Sequence, residues 1–334
     1  SNFKRMTNPI DTALSVVWSL RYFECGTFRV IFPMDRELLS AARAAKYLCT
    51  GADREGNVHC GRIEYIGCVG DGQIEVSGRM LECLLSDRIM FGPWSFTGTV
   101  SDAVFSAVEH NLRGLDIEIG ADSDRIPDTI TAVSEWDEVS EWIYKTLMPY
   151  GGSYTVTLDV TRAVPVFRIV YPNAEPKIVF SGSFENIAEV TYEYHDGDLK
   201  NAAVVEGFDG TVEVYDISNG GERREIYRSA KDIRPTGFET TEAYKAALLE
   251  TGRALLGRYI TEEYISCAAD RGARPIFGED YRLGDPCYVD DPETGISVST
   301  RVTEADEVWE NGEKTVYPAF GGKLPGIKNK LKNQ

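Results

Sequence analysis

Ser15-Val16-Val17-Trp18-Ser19-Leu20-Arg21-Tyr22-Phe23-Glu24-Cys25-Gly26-Thr27-Phe28-Arg29-Val30-Ile31-Phe32 is the stretch that decides the fold class. Its two halves are rich in β-branched and aromatic side chains, which suit a pleated, half-buried surface. Cys25-Gly26 supplies the turn between them, so the run predicts two strands. Pro33 ends the second. Asp35 then caps a predicted helix whose apolar stripe runs Leu38, Ala42, Ala45 and Cys49. Val58 to Val69 and Gln73 to Ser77 predict a hairpin turned by Gly70-Asp71-Gly72. Leu81, Leu84 and Leu85 predict one short helix.

Outward from there the pattern changes twice. Thr99 and Asp102 form a capping-box-like pair ahead of Val104, Ala107, Val108 and Leu112 on one helical face. Ser134 and Asp137 repeat the device ahead of Trp136, Val139, Ile143 and Leu147. Pro149 and Gly151-Gly152 stop that helix, and alternating Tyr154, Val156, Leu158 and Val160 predict a strand. The last part returns to strands, including Val190 to Tyr194 and Thr211 to Tyr215, with turns at Asp290-Asp291-Pro292 and Glu310-Asn311-Gly312. One helix, Thr241 to Leu256, carries Tyr244, Ala247, Leu248, Thr251 and Leu255 at helical spacing. Gly257 suits its end, while Gly252 weakens its interior by about 1 kcal/mol relative to alanine. The polar run Lys328-Asn329-Lys330-Leu331-Lys332 is expected to fray. The expectation is therefore a β-rich α+β chain with an α/β insertion: residues 1–98, 99–170 and 171–334.

Composition narrows the function classes. The 334 residues include 53 acidic and 35 basic side chains, for a net charge of −18. Nucleic-acid affinity comes largely from Lys and Arg displacing counterions, so sequence-specific DNA binding is not expected. Mild repulsion would suit a channel through which DNA slides. The longest apolar runs, such as Ala254-Leu255-Leu256, fall far short of the ~18 residues a membrane span needs, so no insertion is expected. Ser1-Asn2 reads as a cloning remnant, and no basic-then-apolar leader opens the sequence. The seven cysteines are scattered and odd in number, a pattern that suits reduced thiols. Five precede residue 84, which leaves one bridge among them open.

A search for chemistry finds no catalytic set. His59, His110 and His195 share no metal-ligand spacing. His59-Cys60 with Cys49 and Cys68 matches no paired zinc pattern, and reads as buried thiols on neighbouring strands. Gly-x-Ser-x-Gly is missing. Gly321-Gly322-Lys323 places Leu324 where a phosphate-binding loop needs Ser or Thr, so it reads as a turn. Gly67, Gly70 and Gly72 sit between strands and open no helix. Asp196-x-Asp198 and Asp122-x-Asp124 lack the further ligands of a calcium loop. Glu135, Asp137, Glu138 and Glu141 are the densest acids, but they read as the solvated side of their helix. Trp18 and Trp136 fall at core positions. Neither cofactor nor metal is expected, and no enzymatic activity.

The segments without a chemical reading fall in an order that resembles the siphovirus gp-thirty-seven-like tail proteins, more distantly the baseplate hubs of contractile tails. The resemblance rests on Val17 to Phe28 with Trp18, Gly26 and Phe28, then Gly61-Arg62-Ile63-Glu64-Tyr65-Ile66. It continues through Val76-Ser77-Gly78-Arg79-Met80-Leu81-Glu82-Cys83-Leu84-Leu85-Ser86-Asp87-Arg88-Ile89. Asn186-Ile187, Asn201 to Gly207, Tyr281-Arg282-Leu283-Gly284-Asp285 and Val316-Tyr317-Pro318-Ala319-Phe320-Gly321 complete it. Cys287 departs from the apolar strand usual there. The resemblance implies two β-barrel-like tube domains with an inserted α/β domain. It implies a homotrimeric ring at the tip of a long non-contractile phage or prophage tail, joined to tail-tube and tail-tip proteins. It places the protein in the virion tail, after assembly in the host cytoplasm.

The motif residues read as structural. Gly26 and Gly78 suit bends where a β-carbon would clash, and Gly284-Asp285 suits a turn. Arg79 and Arg88 flank the leucine helix and are candidates to pair with carboxylates at a subunit contact, or are ordinary solvated arginines. The alternative function is a virion-associated module that binds or hydrolyses cell-wall glycan, which calls for exposed aromatics around paired acids in a cleft. A housekeeping bacterial enzyme is a third reading, with only ordinary composition in its favour.

Overall fold

The computed structural model describes residues 3, 7, 9–51, 58–70, 72–172, 178–257, 259, 262–269 and 274–321. Strands β1 (Ser15–Arg21) and β2 (Thr27–Pro33) form the expected antiparallel hairpin, with Trp18 opposite Phe28. Helix α1 (Arg36–Ala44) begins at Asp35, whose carboxylate accepts from Leu38 N at 2.9 Å. The helix stops sooner than its apolar stripe suggests. Ala45 turns extended, and Cys49 lies in strand β3 (Tyr47–Cys49), paired with β4 (Cys60–Val69). Cross-strand hydrogen bonds outcompete one more helical turn there. Cys49 faces Cys60 directly and is disulfide-bonded to it, the one bridge left open among the five early cysteines, against the favoured reading of reduced thiols. Cys25, Cys68, Cys83, Cys267 and Cys287 are free.

Strand β5 (Gln73–Met80) pairs with both β2 and β4, and Gly72 turns the β4–β5 hairpin at φ +69°. Helix α2 (Cys83–Ser86) then buries Cys83, Leu84 and Leu85. Strand β6 (Pro93–Thr99) pairs with β8 (Thr129–Glu135). Thr99 Oγ1 accepts from Asp102 N at 3.1 Å and starts α3 (Val100–Asn111), as its spacing predicts. Strand β7 (Glu118–Ile119) runs parallel to β10 (Val164–Val170), which is antiparallel to β9 (Ser153–Asp159).

The second capping device behaves differently. Ser134 Oγ donates to Asp137 at 2.6 Å, but Ser134 lies in β8, whose pairing with β6 holds it extended. Helix α4 (Val139–Leu147) starts later, at Glu138, without a side-chain cap. Trp136 sits at the turn before it with φ +64° and is 54% exposed, so it is no core residue. Val139, Ile143 and Leu147 are buried as predicted, and Trp142 takes the aromatic core position. Leu81, Leu85, Val104, Ile126, Ile143 and Phe167 belong to one core between these elements.

The remaining strands are β11 (Ile178–Ser181), β12 (Ile187–His195), β13 (Ala202–Gly207), β14 (Val212–Asp216) and β15 (Glu225–Ala230). After α5 (Thr241–Leu256) come β16 (Glu262–Ala269), β17 (Pro286–Asp291), β18 (Ile296–Glu310) and β19 (Glu313–Gly321). Asn311 and Gly312, both at positive φ, form the β18–β19 turn. The largest sheet runs β12-β16-β19-β18-β1-β2-β5-β4-β3, with β17 on β18 and β11 on β17. Strand β18 serves two neighbourhoods. Ile296–Arg301 pairs with β17; from Val302 the strand pairs with β19, across a register shift between Val302 and Glu304, and from Glu304 with β1. The main run ends at β12 and β3 and its branch at β11, and no closed barrel is found among the described residues.

The described residues form two compact units, one within 1–191 and 265–321, the other within 192–264. In the second, β14-β13-β15 make a three-stranded sheet against which α5 buries Tyr244, Leu248, Gly252 and Leu255. The runs Lys328–Lys332 and Gly322-Lys323-Leu324 lie outside the described residues.

Candidate functional site

Most of the motif residues are built into the packing. Trp18, 1% exposed, stacks on Phe28 at 5.1 Å between ring centroids. A β-carbon on Gly26 would lie 2.7 Å from the Ser19 carbonyl, and one on Gly78 would collide with the Arg62 carbonyl. The reason at Gly78 is a bulge: between Ile63 and Tyr65 the register of β4 against β5 shifts by the extra residue Glu64. Leu84 and Phe320 are buried, and Phe320 packs 4.7 Å from the Phe180 ring. Asn186 accepts from Ser181 N at 2.8 Å and donates to the Val179 carbonyl at 2.9 Å. Asn201 bridges the backbone of Glu222 and Arg224 at 2.8 and 2.7 Å. A β-carbon on Gly207 would strike the Tyr244 hydroxyl. Gly284 (φ +90°) and Asp285 form a turn in which Asp285 accepts from Arg282 N at 2.8 Å. Gly321, φ +80°, ends β19.

The two arginines beside the leucine helix part company. Arg79 finds its carboxylate inside its own chain, donating to Glu64 at 2.9–3.1 Å from two nitrogens. That guanidinium, with Arg62 beside it, holds the Glu64 carboxyl below its usual range despite partial burial. Among the described residues Arg88 donates to backbone carbonyls alone, Leu112 at 3.3 Å and Asp87 at 3.2 Å. Ile89 next to it is 45% exposed.

Two buried carboxyls shift in opposite directions. Burial pushes Glu82 up, although its Oε1 accepts from Val156 N at 3.1 Å and Thr155 Oγ1 at 3.0 Å. Burial works on Glu307 too, but His59 at 3.1 Å and Lys314 at 2.8 Å overcome it and hold that carboxyl low. Glu82 contacts a hydroxyl and the backbone, Glu307 a histidine and a lysine, and neither is hydrogen-bonded to a second carboxyl among the described residues. Among the described residues no group of His, Cys, Asp and Glu could hold a metal ion. Cys60 is disulfide-bonded and Cys68 exposed, so the predicted cluster of buried thiols is not formed. Asp122 pairs with Arg168 at 2.7 Å, Asp124 accepts from Tyr171 N, and Glu141 pairs with Lys145. A groove of about 960 Å³ opens beside α1, lined by apolar residues including Trp18, Phe32, Leu38, Ala42 and Trp309. Among its described lining residues Lys46 alone carries a charge.

The sequence reading missed a surface. Phe91 and Trp136 are 60% and 54% exposed and meet edge to face at 5.4 Å. Arg113 lies 5.7 Å from the Phe91 ring centre. Residues 91 and 113 carried no pattern, because an exposed residue leaves no periodic trace.

This architecture is that of phage tail proteins. The tail protein from Neisseria meningitidis MC58 superposes with a TM-score of 0.58 at 11% identity, covering 93% of this chain and 92% of that one. The 43 kDa tail protein of prophage MuSo2 from Shewanella oneidensis gives 0.57 at 11% identity over 92% and 94%. Prophage tail protein gp18 from Listeria monocytogenes EGD-e gives 0.53 at 12% identity over 97% and 93%. No curated protein matches by sequence. The sequence model for the Siphovirus ReqiPepy6 Gp37-like protein matches residues 2–322, and the chain belongs to that family of tail proteins.

Proposed function

We propose that the chain is a passive component of a long non-contractile tail, a baseplate hub or tail-tip ring that joins the tail tube to the tip. In this reading copies form a homotrimer, assembled in the host cytoplasm, with neighbouring tail-tube and tail-tip proteins above and below. The three-part layout of 1–98, 99–170 and 171–334, with barrel-like tube parts around an α/β insert, belongs to the same proposal. The observation that carries it is the tail-protein family match over residues 2–322, together with a tail-protein fold across nine-tenths of the chain. Charge supports it: a net −18 lets DNA pass without sticking. The chemistry is consistent: Glu307 is held by His59 and Lys314, and Glu82 Oε1 by the Val156 amide and the Thr155 hydroxyl. Gold-labelled antibody against the chain, applied to intact particles, is expected to decorate the tail end distal to the head. Label along the whole tube, or on the capsid, would refute the tip assignment.

A further inference from the structure

The Phe91–Trp136 surface is built rather than incidental. Loop 88–91 is tied to the start of α4 by Met90 N to Asp137 O at 2.7 Å and Val139 N to Arg88 O at 2.8 Å. Asn111, 1% exposed, accepts at one oxygen from Phe91 N at 3.0 Å and Arg113 Nη1 at 2.9 Å. Its amide donates to Ala107 O at 2.8 Å, which fixes its orientation. Arg113 Nη2 returns to Ile89 O at 2.9 Å. Trp136 and Arg113 adopt φ +64° and +39°, a region that side-chain-bearing residues occupy only where surroundings enforce it. In a chain with 53 acids, neither Arg88 nor Arg113 forms an ion pair with a carboxylate among the described residues. Two exposed aromatics with the fixed Arg113 guanidinium against one ring have the composition of an interface hot spot.

The geometry points to a docking surface for a second copy of this chain, met head to tail. Charge selects the occupant: another copy carries a net −18, so carboxylates are what these arginines meet. The ring reading sets the geometry: a head-to-tail contact places this surface against a different face of the next copy. Contacts of that kind close into rings when their rotation allows. The inference rests on the ring reading proposed above and adds which surface makes the contact.

The test is sedimentation velocity on the full chain over a concentration series at low and high salt, for wild type and Trp136→Gly. Glycine suits φ +64°, so this variant is expected to melt no lower than wild type while losing the aromatic. Wild type should pass beyond a dimer, less so in high salt, and Trp136→Gly should need at least tenfold more protein to do the same. Equal association of the two would overturn the surface assignment and leave the ring reading standing. A wild type that stops at a two-fold dimer would overturn the head-to-tail geometry. A monomer at every concentration would overturn the inference, and the ring reading falls with it only if tail-tip labelling also fails. Binding of the monomer to purified cell-wall glycan, lost in Trp136→Gly, would reassign the surface to that ligand.

Discussion

Replacing Gly252 by alanine sets two effects of opposite sign against each other. In an exposed helix interior the change stabilises by about 0.5–1 kcal/mol, through lower backbone entropy in the unfolded chain. Gly252, however, lies on the buried face of α5. A β-carbon there would stand 2.9 Å from Tyr215 Cβ and 3.4 Å from both Ala203 Cβ and Val205 Cγ2. Two of these are β-carbons, fixed to the backbone of β13 and β14, so no rotamer change relieves them. Overpacking of this kind costs typically about 1–3 kcal/mol. The net expectation is a loss of about 1 kcal/mol, centred on the β13–β15 and α5 unit. Native-state hydrogen exchange of the full chain reads this locally: α5 amides should exchange about fivefold faster, with β1 and β2 unchanged. If Gly252→Ala protects α5 instead, the close packing of helix on sheet is wrong.

Three further outcomes follow from buried groups. Phe320→Ala empties a fully buried site against Phe180 and should cost about 3–5 kcal/mol in denaturant unfolding, against under 1 kcal/mol if the ring is loosely packed. Glu307 has its folded pKa lowered, so its contribution is present above the unfolded value of 4.5 and is lost as pH falls through the folded value. Glu307→Gln should lose about 2 kcal/mol near neutral pH and show a shallower acid-side decline than wild type; parallel curves would deny the His59–Glu307–Lys314 contact. Glu82 is the reverse case. Its folded pKa is raised, so its contribution is full below 4.5 and falls as pH rises toward the folded value. Glu82→Gln should flatten the stability profile above pH 4.5, and an unchanged slope would mean that Glu82 is solvated.

The elements with a strong local signature were legible. The Asp35 and Thr99 caps, the β1–β2 hairpin, the Gly72 turn and the full span of α5 follow from spacing and side-chain type. What failed depended on partners distant in the chain. Ser134 and Asp137 carry a helix-start pattern, yet β6 claims Ser134 and moves the start to Val139, leaving Trp136 in water. Cys49 fits a helical stripe until β4 offers it a strand partner at Cys60. The need for Gly78 was legible, but its cause, the Glu64 bulge on the neighbouring strand, was not. Arg79 and Arg88 look alike in sequence. Only the placement of Glu64 separates them, satisfying one and leaving the other to backbone carbonyls.

Counting this chain in purified particles tests the structural role most directly. Quantitative mass spectrometry against the tail-tube protein is expected to find a small fixed number of copies per particle, three for the ring proposed here, retained after washing in high salt. Particles that lack the chain, or a copy number that varies with preparation and washes away, would contradict a role as a built-in tail component.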